Sequence, residues 1–112
     1  MPRYLISFDD GWMDFPEEDF EAVAKDAHDV MFAAQAAGVW VTGGGFPTYN
    51  ATLVDVDGTQ SKLTSHGMRT PIGGFSIIDV PNLEEALDWA ARIAKACRCK
   101  QEVREFLDDP DV

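Results

Sequence analysis

Basic residues are scarce in this chain. Its 112 residues include 9 Lys and Arg against 20 Asp and Glu, which gives a formal net charge of -11 at pH 7. Nucleic-acid-binding proteins neutralise phosphates with clustered Lys and Arg, whereas only Arg98 and Lys100 lie close together here. The composition therefore predicts that neither DNA nor RNA is a partner of this protein.

Long apolar runs are also missing. No stretch approaches the roughly 20 apolar residues that a membrane-spanning helix requires. The N-terminal segment MPRYLISFDDGW has one basic residue and a short apolar run that is followed by acidic residues, which does not match a secretory signal. We expect no membrane partner and a cytoplasmic location.

Cysteine and histidine are few. Cys97 and Cys99 are the only cysteines, and a disulfide across one intervening residue would close a small, strained loop. A structural zinc site needs four ligands, and His28 and His66 lie far from the cysteines in the sequence. We predict two reduced thiols, one of them packed against the core, with no metal site and no cofactor.

Apolar residues are sufficient for one core. They make up 46% of the chain, so residues 1–112 are predicted to form a single domain. The predicted elements, in order, are a strand over residues 3–8, a helix from 14 to about 37, a strand over 39–42, a hairpin formed by 51–56 and 60–64, a strand over 74–80, a helix that begins after 82, and a strand over 102–107.

Start and stop signals define the two predicted helices. Asp14 is followed by Glu17 and Asn82 by Glu85, which is the spacing of a capping box, and Gly38 supplies a stop for the first helix. The predicted core stripe is Phe20, Val23, Ala24, Ala27, Met31 and Ala34 in the first helix, and Leu83, Ala86, Leu87, Ala90, Ile93, Ala94 and Cys97 in the second.

The order β-α-β, hairpin, β-α-β predicts an α+β fold. It suits a ferredoxin-like antiparallel sheet that carries both helices on one face. Apolar residues nevertheless point in opposite directions along each strand, as in the pairs Leu5 and Ile6, Ile77 and Ile78, and Trp40 and Val41. Leaving such side chains in water forgoes roughly 1.5–3 kcal/mol each. We therefore predict a homodimer that buries the second face by sheet packing, with a loop or the tail folding over this face as the alternative.

One segment resembles a known family. Residues 73–96 read GGFSIIDVPNLEEALDWAARIAKA. Together with the RYLISF opening, the AAGVWVTGG passage and the DVDG hairpin, this segment resembles the YCII-related family and in particular its DGPF-type branch. The similarity runs from about residue 3 to 106. The resemblance implies a dimeric α/β barrel of ferredoxin-like subunits, with a cleft beside the dimer interface.

Two features depart from the family pattern. The region from Thr64 to Ile72 lacks the Asp-Gly-Pro-Phe motif of the branch. Other members resemble enzymes through a His on the first helix and an Asp after the second, but His28 falls about one position from that His. The family's Asp would fall near Ile93, so the pair is not preserved. Some members also occur beside or fused to sigma factors.

The loop before the second Gly-Gly is the best candidate site. His66 can titrate near neutral pH, and Arg69 can hold a carboxylate or phosphate through a two-pronged contact. Gly74 follows in a Gly-Gly pair that lets the backbone approach a ligand, and Trp40 offers a flat apolar surface for an interfacial pocket. The alternatives are a solvated His66 and a Trp40 that simply packs in the core or interface.

Two further motifs are predicted to be structural. Gly43, Gly44 and Gly45 follow a strand without leading into a helix, so they form a strand end or bulge that makes room for neighbouring side chains rather than a phosphate-binding loop. The spacing of Asp9, Asp10 and Asp14 matches no calcium loop.

Three functional hypotheses follow. The first is a homodimer that binds a small, anionic organic molecule through His66 and Arg69 in a cleft beside the dimer interface. The second is an enzyme that uses His66 as general acid or base, with Asp9, Asp10 or Asp79 within hydrogen-bond distance. The third, implied by the family context, is a protein-interaction module linked to sigma-factor regulation.

Overall fold

The computed structural model describes all 112 residues. Its strands are β1 (Arg3–Asp9), β2 (Trp40–Gly45), β3 (Ala51–Val54), β4 (Gln60–Leu63), β5 (Ile72–Asp79) and β6 (Glu102–Glu105), and its helices are α1 (Phe20–Ala36) and α2 (Leu83–Cys97). One 3-10 turn, Glu17–Asp19, precedes α1. Neither helix is long and apolar enough to cross a membrane.

Four strands form one sheet in the order β2-β5-β1-β6, and each neighbouring pair is antiparallel. The hairpin β3-β4 forms a separate two-stranded sheet. This is an α+β arrangement consistent with the predicted ferredoxin-like fold.

Both helices cover the same face of the sheet. The core cluster joins Tyr4 and Ile6 of β1 and Ile78 of β5 with small residues of α2, and Val80 completes the layer just after β5. The pairing of Trp40 with Ile78 and of Val103 with Ile6 places their side chains on this face as well. We call it the helix face.

No helix covers the other side of the sheet, which we call the open face. Leu5 lies directly opposite Ile77, and Ser7 lies opposite Phe75, so apolar residues of β1 and β5 form its centre. Leu5, Phe75 and Ile77 are only half-buried. The Arg3 guanidinium pairs with the Asp79 carboxylate at 2.9 Å near one end of this face and holds the pKa of Asp79 below its usual value.

The predicted start of α1 at Asp14 is wrong. Pro16 has an extended backbone, with ψ of 142°, and the helix begins only at Phe20 after the 3-10 turn. A proline also disfavours helical geometry in the preceding residue, so the capping box cannot form across it. Phe20 lies in the first turn and is 62% exposed, which corrects its assignment to the core stripe. The stop at Gly38 is confirmed by its positive φ of 76°.

The predicted start of α2 is confirmed. The Asn82 side chain accepts a hydrogen bond from the Glu85 backbone N–H at 2.9 Å. Leu83 and Leu87, however, are exposed. Leu83 lies in the first turn of the helix, and Leu87 is 48% exposed. Ala86, Ala90 and Cys97 are buried as predicted.

Strands β1, β2 and β5 are longer than predicted, whereas the hairpin strands and the last strand are shorter. β2 continues through the three glycines, and its register shifts between Trp40 and Thr42, before them. β5 begins at Ile72 instead of Gly74. In the hairpin turn Gly58 has a φ of 88°, and the Asp57 carboxylate accepts the Thr59 N–H.

Candidate functional site

His66 contacts a carboxylate from the end of β1. Its Nε2 atom lies 3.3 Å from Oδ2 of Asp10. The accessible fraction of the side chain is 31% for His66 and 39% for Asp10. The backbone N–H of Asp10 donates to the Pro71 carbonyl oxygen at 2.8 Å, which ties the β1 end to the segment before β5. The two residues are far apart in sequence and are brought together by the pairing of β1 with β5.

Gly73 allows this close approach. A Cβ atom at this position would lie 3.0 Å from the Asp10 Cα and 3.2 Å from the Asp9 carbonyl oxygen, against backbone atoms that have little freedom to move. A larger residue here would push the Asp9 and Asp10 backbone away by a few tenths of an ångström, and glycine avoids this because it permits close backbone contact. Gly73 positions Asp10 without contacting His66 itself.

Tyr49 and Arg69 extend the pair into a cluster. The Tyr49 ring meets the His66 ring edge-to-face at a centroid distance of 5.3 Å. The Arg69 guanidinium donates to the Tyr49 hydroxyl at 3.1 Å, and the Arg69 backbone N–H donates to the His66 carbonyl oxygen. No carboxylate pairs with Arg69. His66, Asp10, Tyr49 and Arg69 are called the His66 cluster below.

The two nitrogens of His66 differ in environment. Nε2 faces Asp10, whereas Nδ1 is buried and has no hydrogen-bond partner. A neutral imidazole carries one N–H and one acceptor nitrogen, so the arrangement favours the proton on Nε2, where Asp10 accepts it. Solvent does not reach Nδ1 in this conformation.

A cleft of about 510 Å³ lies beside the His66 cluster. Asp10 and Tyr49 belong to its wall, which is otherwise largely apolar and includes Leu5, Phe46 and Phe75. Leu5 and Phe75 are also residues of the open face, so the cleft and that face share a boundary. The Phe46 and Phe75 rings lie 6.1 Å apart.

The four residues predicted from the sequence as site residues, His66, Arg69, Gly74 and Trp40, do not lie together in one site. His66 and Arg69 lie together in the His66 cluster. Gly74 and Trp40 lie on the helix face: a Cβ at Gly74 would lie 2.5 Å from the Phe8 ring, and Trp40 packs against the core cluster. Successive residues of a strand point to opposite faces of the sheet. The sheet therefore lies between the pair His66 and Arg69 and the pair Gly74 and Trp40.

Sequence reasoning missed Tyr49 and Gly73. Tyr49 lies in the irregular segment between β2 and β3, where no periodicity indicates which side chain turns towards His66. Gly73 was noted only as part of a Gly-Gly pair. Asp10 was one of three carboxylates named as a possible partner, and the structure selects it over Asp9 and Asp79.

The remaining candidates lie elsewhere. His28 is an exposed α1 residue 6.3 Å from the Phe32 ring. Both cysteines are free thiols; Cys97 is buried and burial raises its pKa to about 11, while Cys99 is half-buried. No group of three or more His, Cys, Asp or Glu side chains is placed to hold a metal ion.

No protein-family model matches the chain, and no curated protein matches it. The YCII-related assignment therefore stays a prediction that depends on the residues quoted above.

Proposed function

We propose that the protein is a homodimer of the YCII-related, dimeric α/β-barrel type, which binds a small organic anion in the cleft beside its dimer interface. The observation that carries the proposal is the His66 cluster. His66 and Arg69 do not line the largely apolar cleft themselves, but Arg69 has no carboxylate partner and is hydrogen-bonded to Tyr49, which belongs to the cleft wall.

The exposed surface of one subunit supports dimerisation. Its accessible area is 7968 Å², whereas a folded monomer of 12.4 kDa is expected to expose about 6,100 Å². The radius of gyration of 15.7 Å likewise exceeds the roughly 13 Å expected for this length. The projecting hairpin contributes to both excesses, and the open face contributes further apolar area.

The open face is the surface that we assign to the partner. Val41 is 37% exposed at its margin, and the half-buried Leu5, Phe75 and Ile77 form its centre. The C-terminal tail does not fold over this face as a cover, since Leu107 is 94% exposed. A second copy related by a two-fold axis would bury the same patch on both subunits.

Arg69 supports an anionic ligand. The Asp10 carboxylate faces His66, so it does not neutralise Arg69, whose hydrogen bonds go to the Tyr49 hydroxyl and the His66 carbonyl oxygen. A guanidinium holds a carboxylate or phosphate through paired hydrogen bonds. The apolar wall of the cleft favours an organic body attached to that group.

Substitution of Arg69 tests the ligand assignment. A panel of small organic acids is screened by thermal shift, and hits are titrated calorimetrically against the wild type, Arg69→Ala and Arg92→Ala. Arg92 is an exposed arginine of α2 that stacks on Trp89, so its loss changes the net charge equally. We expect at least tenfold weaker binding in Arg69→Ala only; equal affinities in all three proteins would remove Arg69 from the site.

The His66–Asp10 contact favours a second candidate function. In an enzyme of this kind His66 acts as general acid or base, and Asp10 holds the imidazole in one tautomer. The shielded Nδ1 argues against it, because substrate would reach that nitrogen only after the loop moves. Binding is therefore our first proposal, and the third hypothesis, a link to sigma-factor regulation, stays a prediction to be tested by pull-down.

Replacement of His66 separates these two functions. If the protein turns over a ligand identified in the screen, His66→Gln should reduce the rate about a hundredfold or more, and Asp10→Asn should reduce it less. Turnover that is unchanged in His66→Gln would rule out the acid–base role. Ligand binding without any turnover would leave the binding proposal standing alone.

A further inference from the structure

A second cavity lies inside the subunit, on the helix face. It has a volume of about 290 Å³ and is enclosed by the sheet on one side and by α1 and α2 on the other. Its deep end is formed by buried residues such as Ile78 and Cys97, whereas Gly44, Gly45 and His28 are exposed at its margin. The cavity therefore opens between α1 and the edge strand β2.

Two glycines keep this space free. A Cβ at Gly43 would lie 2.7 Å from the Trp40 ring and 2.5 Å from the Phe75 carbonyl oxygen, and a Cβ at Gly74 would lie 2.5 Å from the Phe8 ring. Both rings thus lie against glycine backbone on the sheet. On the opposite side, α1 presents the small side chains of Ala27 and Ala34. The volume between these two layers is left unfilled.

The cavity walls are aromatic and apolar. Trp40 and Trp89 supply two indole rings, and Met31 and Ile93 supply flexible aliphatic contacts. No Asp, Glu, Lys or Arg lines the cavity. Cys97, at 8% accessibility, lies at the inner end of the cavity.

Gln101 is a polar residue of the cavity wall that can orient a bound molecule. The Gln101 side chain lines the cavity, and its Nε2 atom donates to the Cys99 carbonyl oxygen at 3.4 Å. Its amide oxygen is left to accept a hydrogen bond from a bound molecule. Apolar walls with a few placed polar groups are typical of small-molecule sites.

We propose that this cavity binds a neutral aromatic molecule of one or two rings, stacked on the indoles of Trp40 and Trp89. The volume is at the lower end for ligand sites, and closed apolar cavities of smaller size take up benzene. Asp, Glu, Lys and Arg are absent from the wall and His28 lies only at its exposed margin, which disfavours an organic anion inside the cavity, so this site differs in ligand class from the cleft beside the His66 cluster.

Three probes with one ring test the proposal: toluene, p-cresol and p-toluate. Binding is measured by calorimetry on the wild type, on Ala27→Leu, which fills the cavity, and on Ala22→Leu, a matched control at an exposed position of α1. We expect toluene and p-cresol to bind with one site per chain, at least tenfold more weakly in Ala27→Leu and unchanged in Ala22→Leu. We also expect p-toluate not to displace p-cresol.

Fluorine NMR of the protein labelled with 5-fluorotryptophan gives a readout that needs no variant. Addition of p-cresol should shift the Trp40 and Trp89 resonances more than that of Trp12, which stacks with Lys100 and does not line the cavity. Absence of binding, equal affinity in Ala27→Leu, or a shift confined to Trp12 would overturn the proposal. Arg69→Ala should still bind p-cresol. The proposed anion site in the cleft and the proposed aromatic site in the cavity are therefore tested independently.

Discussion

At Gly73 the structure leaves little room for a side chain. The nearest atoms to an added Cβ are backbone atoms of Asp9 and Asp10 at 3.0–3.2 Å, so Gly73→Ala must displace the Asp10 backbone from its position beside His66. Overpacking of this kind costs about 1–3 kcal/mol in the free energy of unfolding.

We predict that Gly73→Ala lowers the free energy of unfolding by that amount and weakens binding in the cleft. Gly45→Ala is the matched control, because its nearest neighbour is the Gly73 carbonyl oxygen at 4.0 Å. Urea unfolding and ligand titration of both variants make the comparison. Equal stability of the two variants would contradict the packing role of Gly73.

The two cysteines provide a second prediction at this scale. Burial raises the pKa of Cys97 to about 11, so about one Cys97 thiol in a thousand is ionised at pH 8, and the thiolate is the reactive form. The pKa of Cys99 is also raised, but its side chain is half-buried and more accessible.

We therefore expect iodoacetamide to alkylate Cys99 first in the folded protein, and Cys97 only slowly until denaturant is added. Peptide mass spectrometry after timed labelling at pH 8 measures the two rates. The labelling of Cys97 should accelerate as the pH rises towards 11, because the thiolate fraction increases. Equal rates at pH 8 would show that Cys97 is not shielded.

Residue type alone identified part of the candidate site. His66 and Arg69 were found because a loop with a titratable ring and a guanidinium is chemically distinctive. The contact with Asp10 depends on strand register, and the contact with Tyr49 depends on the path of an irregular segment. Neither leaves a periodic signal in the sequence.

At the scale of elements, the two helix starts provide a matched test of capping. Asn82→Ala removes the hydrogen bond to the Glu85 N–H and should cost about 1 kcal/mol in the free energy of unfolding. Asp14→Ala should cost much less, because Asp14 caps no helix. Chemical denaturation of both variants measures the difference. A larger loss for Asp14→Ala would contradict the observed start of α1.

The same comparison explains which element boundaries could be predicted. Asn82 and Gly38 mark helix ends through local backbone geometry that depends only on neighbouring residues. The predicted start of α2 and the predicted end of α1 are both confirmed. Asp14 matched the capping pattern as well, but Pro16 imposes an extended backbone between it and the helix. The extension of β2 through three glycines depends on pairing with β5, which propensity does not reveal.

At the scale of the whole molecule, element order was sufficient to predict the α+β class and an antiparallel sheet with both helices on one face. The alternation along β1 and β5 also indicated a second apolar face, and Leu5, Phe75 and Ile77 are left half-buried on it. The resemblance implied a cleft beside the dimer interface, but the walls of neither cavity could be predicted, since each depends on how side chains from distant segments fill the space between layers.

Sedimentation velocity at micromolar concentration tests the central claim, that a second copy covers the open face. We predict a particle of twice the 12.4 kDa chain mass, and dissociation to monomers in Ile77→Lys, which places a charge at the centre of that face. The matched variant Leu87→Lys, at an exposed position of α2, should stay dimeric. A stable 12.4 kDa particle for the unmodified chain would contradict the account.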